Sequence, residues 1–251
     1  MITKNELKEY CKSTGFNLWQ AERDYLQHLF LIFLSKHSSN ELLFKGGTAL
    51  QKAYGLNRFS IDLDFTQIKE ANFIELMAKV TKNMTDFGYT SKFEEIKTLG
   101  KTFKIKIHGP LYNNTQISAS NISVEISQRE NILIQPQLKQ IIPAYNDLQP
   151  YSLFVMQESE ILAEKVRAIM SRNKPRDVFD LNFLLRRGIK FDLKFINKKL
   201  IYYNQKFDKK EFAARIKENK LIWEKEMKNY LNNVPDFDSV LAYIMENLKL
   251  I

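Results

Sequence analysis

The apolar positions of this chain keep two different periods. Between residues 17 and 36, Leu18, Tyr25, Leu29 and Phe33, flanked by Leu26 and Phe30, recur at helical spacing and predict a helix. Residues 42–45 read as a short strand running into the turn Gly46-Gly47, and residues 48–54 open another helix. Alternation over 60–66 predicts a strand, and 70–87 predicts an amphipathic helix closed by Gly88. Two later segments alternate as strands do. In 102–108, Phe103, Ile105 and Ile107 face one way and Lys104, Lys106 and His108 the other. In 122–127, Ile122, Val124 and Ile126 oppose Ser123, Glu125 and Ser127. A shorter strand is expected at 131–134.

From about residue 157 the period becomes helical and stays so, over 157–171, 175–187, 193–204, 208–231 and 236–248. The change falls between 143 and 157 and is marked by Pro143 and Pro150. An α+β fold follows, with one domain over residues 1–150 and a helical, basic domain over 151–251.

Composition narrows the class. A hydrophobic content of 44%, with 18 Phe and 11 Tyr, is ample for a buried core, whereas eight Gly and six Pro leave little for long linkers. The longest apolar run, 29–34, is far below the roughly 20 residues that cross a bilayer. The polar N-terminus carries no signal-peptide core, and a lone Cys11 excludes an internal disulfide framework. A cytoplasmic chain without a membrane partner is expected. The net charge is +9, and residues 186–230 alone hold 14 Lys and Arg against 6 Asp and Glu. Such a segment attracts polyanions, although solvated helix faces give the same count. His28, His37 and His108 show no metal-ligand spacing, so no zinc site and no Ser/His/Asp arrangement is expected.

The chemistry concentrates in Leu43-Phe44-Lys45-Gly46-Gly47-Thr48-Ala49-Leu50 and the following Arg58-Phe59-Ser60-Ile61-Asp62-Leu63-Asp64-Phe65. Asp62 and Asp64, at i and i+2 of a strand, point from one face, where like charges repel unless a cation relieves them. A hard ion such as Mg²⁺ uses one or two carboxylates plus substrate phosphates. The Gly46-Gly47 turn lets backbone amides approach a phosphate, with a helix N-terminus behind it and the Thr48 hydroxyl beside it. Glu125 would add a third carboxylate if its strand neighbours the aspartate strand; otherwise it is a solvated glutamate. Ser60 shares the face of Asp62 and could orient a carboxylate or a phosphate, and Arg58 either joins it or pairs with a local acid. These features suggest a metal-dependent enzyme acting on a nucleoside triphosphate.

The same residues resemble the nucleotidyltransferase superfamily, and more closely its AbiEii/AbiGii toxin branch. The resemblance rests on Gly46-Gly47-Thr48-Ala49-Leu50 and Arg58 to Phe65, then on Glu164-Lys165-Val166-Arg167-Ala168 and Arg176-Asp177-Val178-Phe179-Asp180-Leu181. It covers residues 40–185 and implies a nucleotidyltransferase-type mixed β-sheet with flanking helices. It further implies that Gly46, Gly47 and Thr48 cradle the triphosphate and that Asp62 and Asp64 hold Mg²⁺, with Glu125 as third ligand. Arg58, Ser60 and Lys165 would contact the nucleotide, and Asp177 would match the last motif acid. Lys165 otherwise reads as a solvated helix cation, Asp177 as a first-turn acid favoured by the helix dipole, and Asp180 as an ion-pair partner. The implied reaction moves a nucleoside monophosphate to an RNA hydroxyl, with a tRNA end the favoured acceptor. A protein hydroxyl, or a non-catalytic nucleotide- or RNA-binding module, is the alternative. A toxin of this type has an antitoxin partner encoded nearby.

Overall fold

The computed structural model describes residues 1–38, 40–97, 100–129 and 131–250. The chain forms two compact units, the first from residues 1–54, 59–128 and 136–155 and the second from 55–58, 129–135 and 156–251.

The first unit opens with helices α1 (Lys4–Thr14) and α2 (Leu18–His37), each started by a reciprocal capping box, Thr3 with Glu6 and Asn17 with Gln20. Then come β1 (Leu42–Lys45), α3 (Gly46–Tyr54), β2 (Leu63–Gln67), α4 (Phe73–Phe87), β3 (Ser91–Lys97), β4 (Lys101–Ile107), β5 (Ser120–Ser127), β6 (Gln137–Ile141) and β7 (Tyr151–Val155). All seven strands join one sheet in the order β3-β4-β5-β2-β1-β7-β6. Its β1–β7 and β2–β5 pairs are parallel and the others antiparallel. This is the mixed sheet with flanking helices that the resemblance implies.

The interior strand β1 is buried at all four positions, as a strand covered on both faces must be. In β5 burial alternates, and its apolar side continues into the neighbours, Val124 opposite Leu63 and Phe103, and Ile126 opposite Phe65. α2 departs from a half-exposed helix. Residues Gln20 to Leu34 are nearly all buried, including Glu22, Asp24, Gln27 and His28. Polar groups in such a place need partners, and the site is built from them.

The second unit holds α5 (Glu158–Ser171), α6 (Pro175–Arg186), α7 (Leu193–Ile201), α8 (Lys209–Glu218), α9 (Trp223–Met227) and α10 (Phe237–Lys249). Two sequence expectations are revised. Residues 131–134 form no strand, because the N–H groups of Leu133 and Ile134 donate instead to the buried carboxylate of Glu160, each at 3.0 Å. The helix expected over 208–231 is split into α8, a 3₁₀ turn Asn219–Leu221, and α9. At the break the buried Asn219 donates its side-chain amide to the Arg215 carbonyl, a local bond that competes with the helical ladder. Lys199, fully buried, lies between Glu160 at 2.8 Å and Glu164 at 3.1 Å.

Candidate active site

One row across the sheet carries the charged groups. The register pairs Lys45 of β1 with Asp64 of β2, Asp64 with Glu125 of β5, and Glu125 with Thr102 of β4. Partners in register project from the same face, so Lys45, Asp64, Glu125 and Thr102 lie side by side. Leu63 and Phe65 are buried, while the intervening Asp62 and Asp64 stay partly exposed and Glu125 is exposed. The two strands that carry Asp64 and Glu125 are thus direct neighbours.

The residues before β2 are held by side chains rather than by a ladder. Asp62 precedes the strand, and the Thr48 hydroxyl bonds both its carbonyl oxygen and the Ser60 hydroxyl, the latter at 2.8 Å. The Gln27 amide donates to the carbonyls of Ser60 at 3.1 Å and Ile61 at 2.7 Å. The Gln51 carbonyl accepts the Ser60 N–H at 2.9 Å. Thr48 and Ser60, expected to face a phosphate, are buried and bonded to each other; in this arrangement they fix the path of the aspartate segment. The first of the paired glycines has a related task. Gly46 has φ +73°, and a Cβ there would lie 2.9 Å from both Cβ and Cγ of Asp64. Only glycine allows that backbone and that approach together. Gly47 is buried in the first turn of α3.

Gln51 also reaches a buried polar network. Its amide and the Lys52 ammonium both donate to Asp24, at 2.8 and 2.7 Å, while Tyr145 donates to the other carboxylate oxygen at 3.0 Å. Burial opposes the charge on Asp24, but Lys52 and these donors outweigh it and hold the carboxyl below its ordinary value. His28 lies 3.6 Å from Asp24, and its Nδ1 is 2.9 Å from the Tyr151 hydroxyl. Burial, with the nearby Lys52 charge, pushes the His28 imidazole down to about 3. Of the histidines it is thus a neutral core group and not a surface one.

Arg58, Lys165 and Asp177 fall in the second unit and are brought together there. Arg58 forms a two-pronged pair with Asp180 at 2.6 and 2.7 Å. Lys165 lies 2.6 Å from Asp180 and 2.9 Å from Asp177, and Arg172 donates to Asp177 at 2.8 Å. Both aspartates are fully buried, and Arg58 and Lys165 nearly so. Burial works against each charge, yet the opposite charges win: the carboxyls sit below their usual range and Lys165 above its own. Lys165 is therefore not a solvated surface cation, and its ammonium is taken up by two carboxylates. Its partners stand 12 and 15 positions along the chain, beyond the one-turn spacing that sequence inspection tests.

Asp62 and Asp64 offer hard oxygen donors of the kind Mg²⁺ takes in ones and twos, completing its shell with water and phosphate. Among the described residues no three His, Cys, Asp or Glu side chains form a group able to hold an ion by themselves. Glu125 therefore shares the row without closing a three-carboxylate cluster. Sequence inspection missed Gln27, Gln51, Lys45 and Asp24, whose residue types carry no motif. The polar positions inside the 17–36 helical pattern were the available signal.

The fold is found elsewhere. The sequence profile described as nucleotidyl transferase AbiEii toxin, type IV TA system, matches residues 32–243. No curated protein matches the chain in sequence. Among solved structures it is similar to MenT4, a nucleotidyltransferase toxin from Mycobacterium tuberculosis H37Rv, with TM-score 0.73 and 20% identity over 99% of this chain and 89% of that one. A proposed nucleotidyltransferase from H. pylori gives TM-score 0.59 and 19% identity over 90% and 93% of the two chains. JHP933 from Helicobacter pylori gives 0.56 and 20% over 92% and 90%. With most of its length matched by the family profile, this chain belongs to the AbiEii nucleotidyltransferase toxin family.

Proposed function

We propose that the chain is a Mg²⁺-dependent nucleotidyltransferase that moves a nucleoside monophosphate from a nucleoside triphosphate onto an RNA hydroxyl, and that it acts as a toxin restrained by an antitoxin. The observation that carries this reading is the pairing of Asp64 with Glu125 on adjacent parallel strands, with Asp62 two residues ahead and Gly46 packed against Asp64. Asp62 and Asp64 would hold the ion. Bound there, it would offset negative charge on the phosphate and the attacking oxygen. Glu125, exposed in the same row, takes the proton of the acceptor hydroxyl. The hydroxyl oxygen bonds to the α-phosphorus, the bond from that phosphorus to the bridging oxygen breaks, and pyrophosphate leaves with the electron pair.

RNA is the favoured acceptor because 14 of the chain's cationic side chains, against 6 acids, fall within residues 186–230. A tRNA end is the first candidate, on the ground of family resemblance. The test incubates the protein with each α-³²P-labelled nucleoside triphosphate, Mg²⁺ and total RNA, beside an Asp62→Ala/Asp64→Ala variant. Label in a tRNA-sized band, absent with the variant, is expected. Label that resists RNase and yields to protease would move the acceptor to a protein hydroxyl. Equal labelling by the variant would overturn the assignment of the aspartates.

A further inference from the structure

Along α2, Trp19, Arg23 and Gln27 stand four residues apart and form one stripe. That stripe follows the segment that leads to the first aspartate. Trp19 meets the Phe59 ring edge-on, with centroids 5.6 Å apart, and Gln27 holds the Ser60 and Ile61 carbonyls. Arg23 comes between them. Its guanidinium carbon lies 4.5 Å from the centre of the Trp19 ring, and its Nε is buried with no hydrogen-bond partner. We propose that Arg23, braced on Trp19, binds the phosphate chain of the nucleoside triphosphate.

This rests on the reading of Asp62 and Asp64 as the transfer site, and three observations support it. The first is an unmet need: a buried donor without an acceptor is costly, and native structures seldom keep one without a use for it. The second is the electrostatic setting. Burial weakens the hold of Arg23 on its proton, and the charges that counter it come from Asp62 and Glu22. Glu22 is already engaged, accepting the Leu111 N–H at 2.7 Å. A cation on the Asp62 carboxylate would leave Arg23 with less compensation and a stronger call for an anion. The third is shape. A guanidinium presents a planar fork of donors that matches phosphate oxygens in pairs, which an ammonium cannot do. The cation–π contact with Trp19 holds that fork in place before the ligand arrives.

The two tryptophans make the test direct. Trp19 is 45% exposed and Trp223 only 3%, so a ligand near Arg23 changes the emission of the first. The full-length protein is titrated with a nucleoside triphosphate and Mg²⁺, then with inorganic tripolyphosphate, and affinities are checked by equilibrium dialysis. A saturable fluorescence change with both ligands is expected, lost in Trp19→Phe while dialysis still records binding. Arg23→Gln should weaken nucleotide binding about tenfold or more, the scale of a lost charge-assisted hydrogen bond. Arg23→Lys, which keeps the charge and loses the fork, should fall in between, and it decides the matter if Arg23→Gln loses its circular dichroism spectrum. Wild-type affinity in a folded Arg23 variant overturns the proposal alone. Loss of affinity for an RNA oligonucleotide but not for tripolyphosphate also overturns it. If the wild-type protein binds no nucleotide, the proposed function falls and this assignment with it.

Discussion

The carboxylate side chain of Asp64 lies where a side chain on residue 46 would have to be. Gly46 combines φ +73° with an approach that would bring a Cβ within 2.9 Å of two Asp64 carbons. Gly46→Ala should therefore cost more than the roughly 1–2 kcal/mol of a left-handed alanine, and it should displace Asp64. Gly55 supplies the control: its φ is +78°, but nothing lies within 4 Å of the added Cβ. Urea unfolding should show both variants destabilised, with nucleotidyl transfer lost only in Gly46→Ala. Equal activity in the two would remove the packing argument.

The carboxylates should separate by the step they affect. Asp62→Asn and Asp64→Asn are expected to lower turnover by at least about 100-fold and to weaken Mg²⁺-dependent nucleotide binding as well. Glu125→Gln should also lower turnover by about 100-fold while nucleotide affinity is kept, as for a group that only takes a proton. Kinetics paired with equilibrium dialysis make the distinction. A Glu125→Gln variant that loses binding would place that residue among the ligands.

Gln27 secures two carbonyls just ahead of Asp62. Gln27→Leu leaves both without that donor and should destabilise the protein by about 1–3 kcal/mol. The activity measured well below the unfolding midpoint should drop further than the folded fraction does, because the aspartate segment loses its brace. Activity that tracks the folded fraction would reduce Gln27 to a packing residue.

In the helical unit, Asp180 neutralises Arg58 and Lys165 at once. Asp180→Asn leaves two buried cations short of a counter-charge, and a loss of about 3–5 kcal/mol is expected by urea unfolding. The native carboxyls of Asp177 and Asp180 titrate below their ordinary range. Their contribution is therefore present above about pH 4 and is lost as the pH falls through the folded values. A variant as stable as the wild type would show that the pairs are replaceable.

His28 gives an acid effect that begins earlier. Its folded value is about 3 against an ordinary 6.5, so over that window the unfolded chain binds a proton the folded chain refuses. Stability should be complete above pH 6.5 and decline as the pH is lowered, by at most about 1.4 kcal/mol per unit. Comparing wild type with His28→Gln between pH 6.5 and 5 isolates the effect, since the other titrating groups are common to both proteins and cancel in the difference. Parallel slopes for the two proteins would exclude it.

Where side-chain period was strong, the elements could be read directly. Residues 42–45 matched β1 to the residue, and Gly88 closes α4. Three strands escaped: β7, which buries Tyr151, Leu153 and Val155 but directly follows Pro150 at the expected domain boundary, and the two edge strands, which lack a continuous buried apolar face. Strand β3 alternates Lys92 and Glu94 with Phe93 and Glu95 at the sheet edge, and β6, at the other edge, exposes Leu138 at 63%. An edge strand is specified by its partner more than by its own pattern. The site divides similarly. Asp62, Asp64 and Glu125 announce themselves because carboxylates among alternating aliphatics need a reason. Gln27, Gln51 and Arg23 lie on helices whose polar positions look like solvent-facing ones until the fold buries Gln27 and partly covers Gln51 and Arg23. Thr48 was legible as a site residue, but its hydroxyl serves the backbone of Asp62.

Arg58 belongs to the helical unit, yet the chain supplies it from the midst of the sheet unit, four residues ahead of Asp62. A gene fragment beginning at residue 156 would encode all six helices and still omit the guanidinium that Asp180 requires. Neither unit can be borrowed, swapped or duplicated by one cut in the coding sequence. Recombination that exchanges the helical units of two such chains would have to carry the 55–58 and 129–135 segments along. The two units are thus bound to vary as one heritable block.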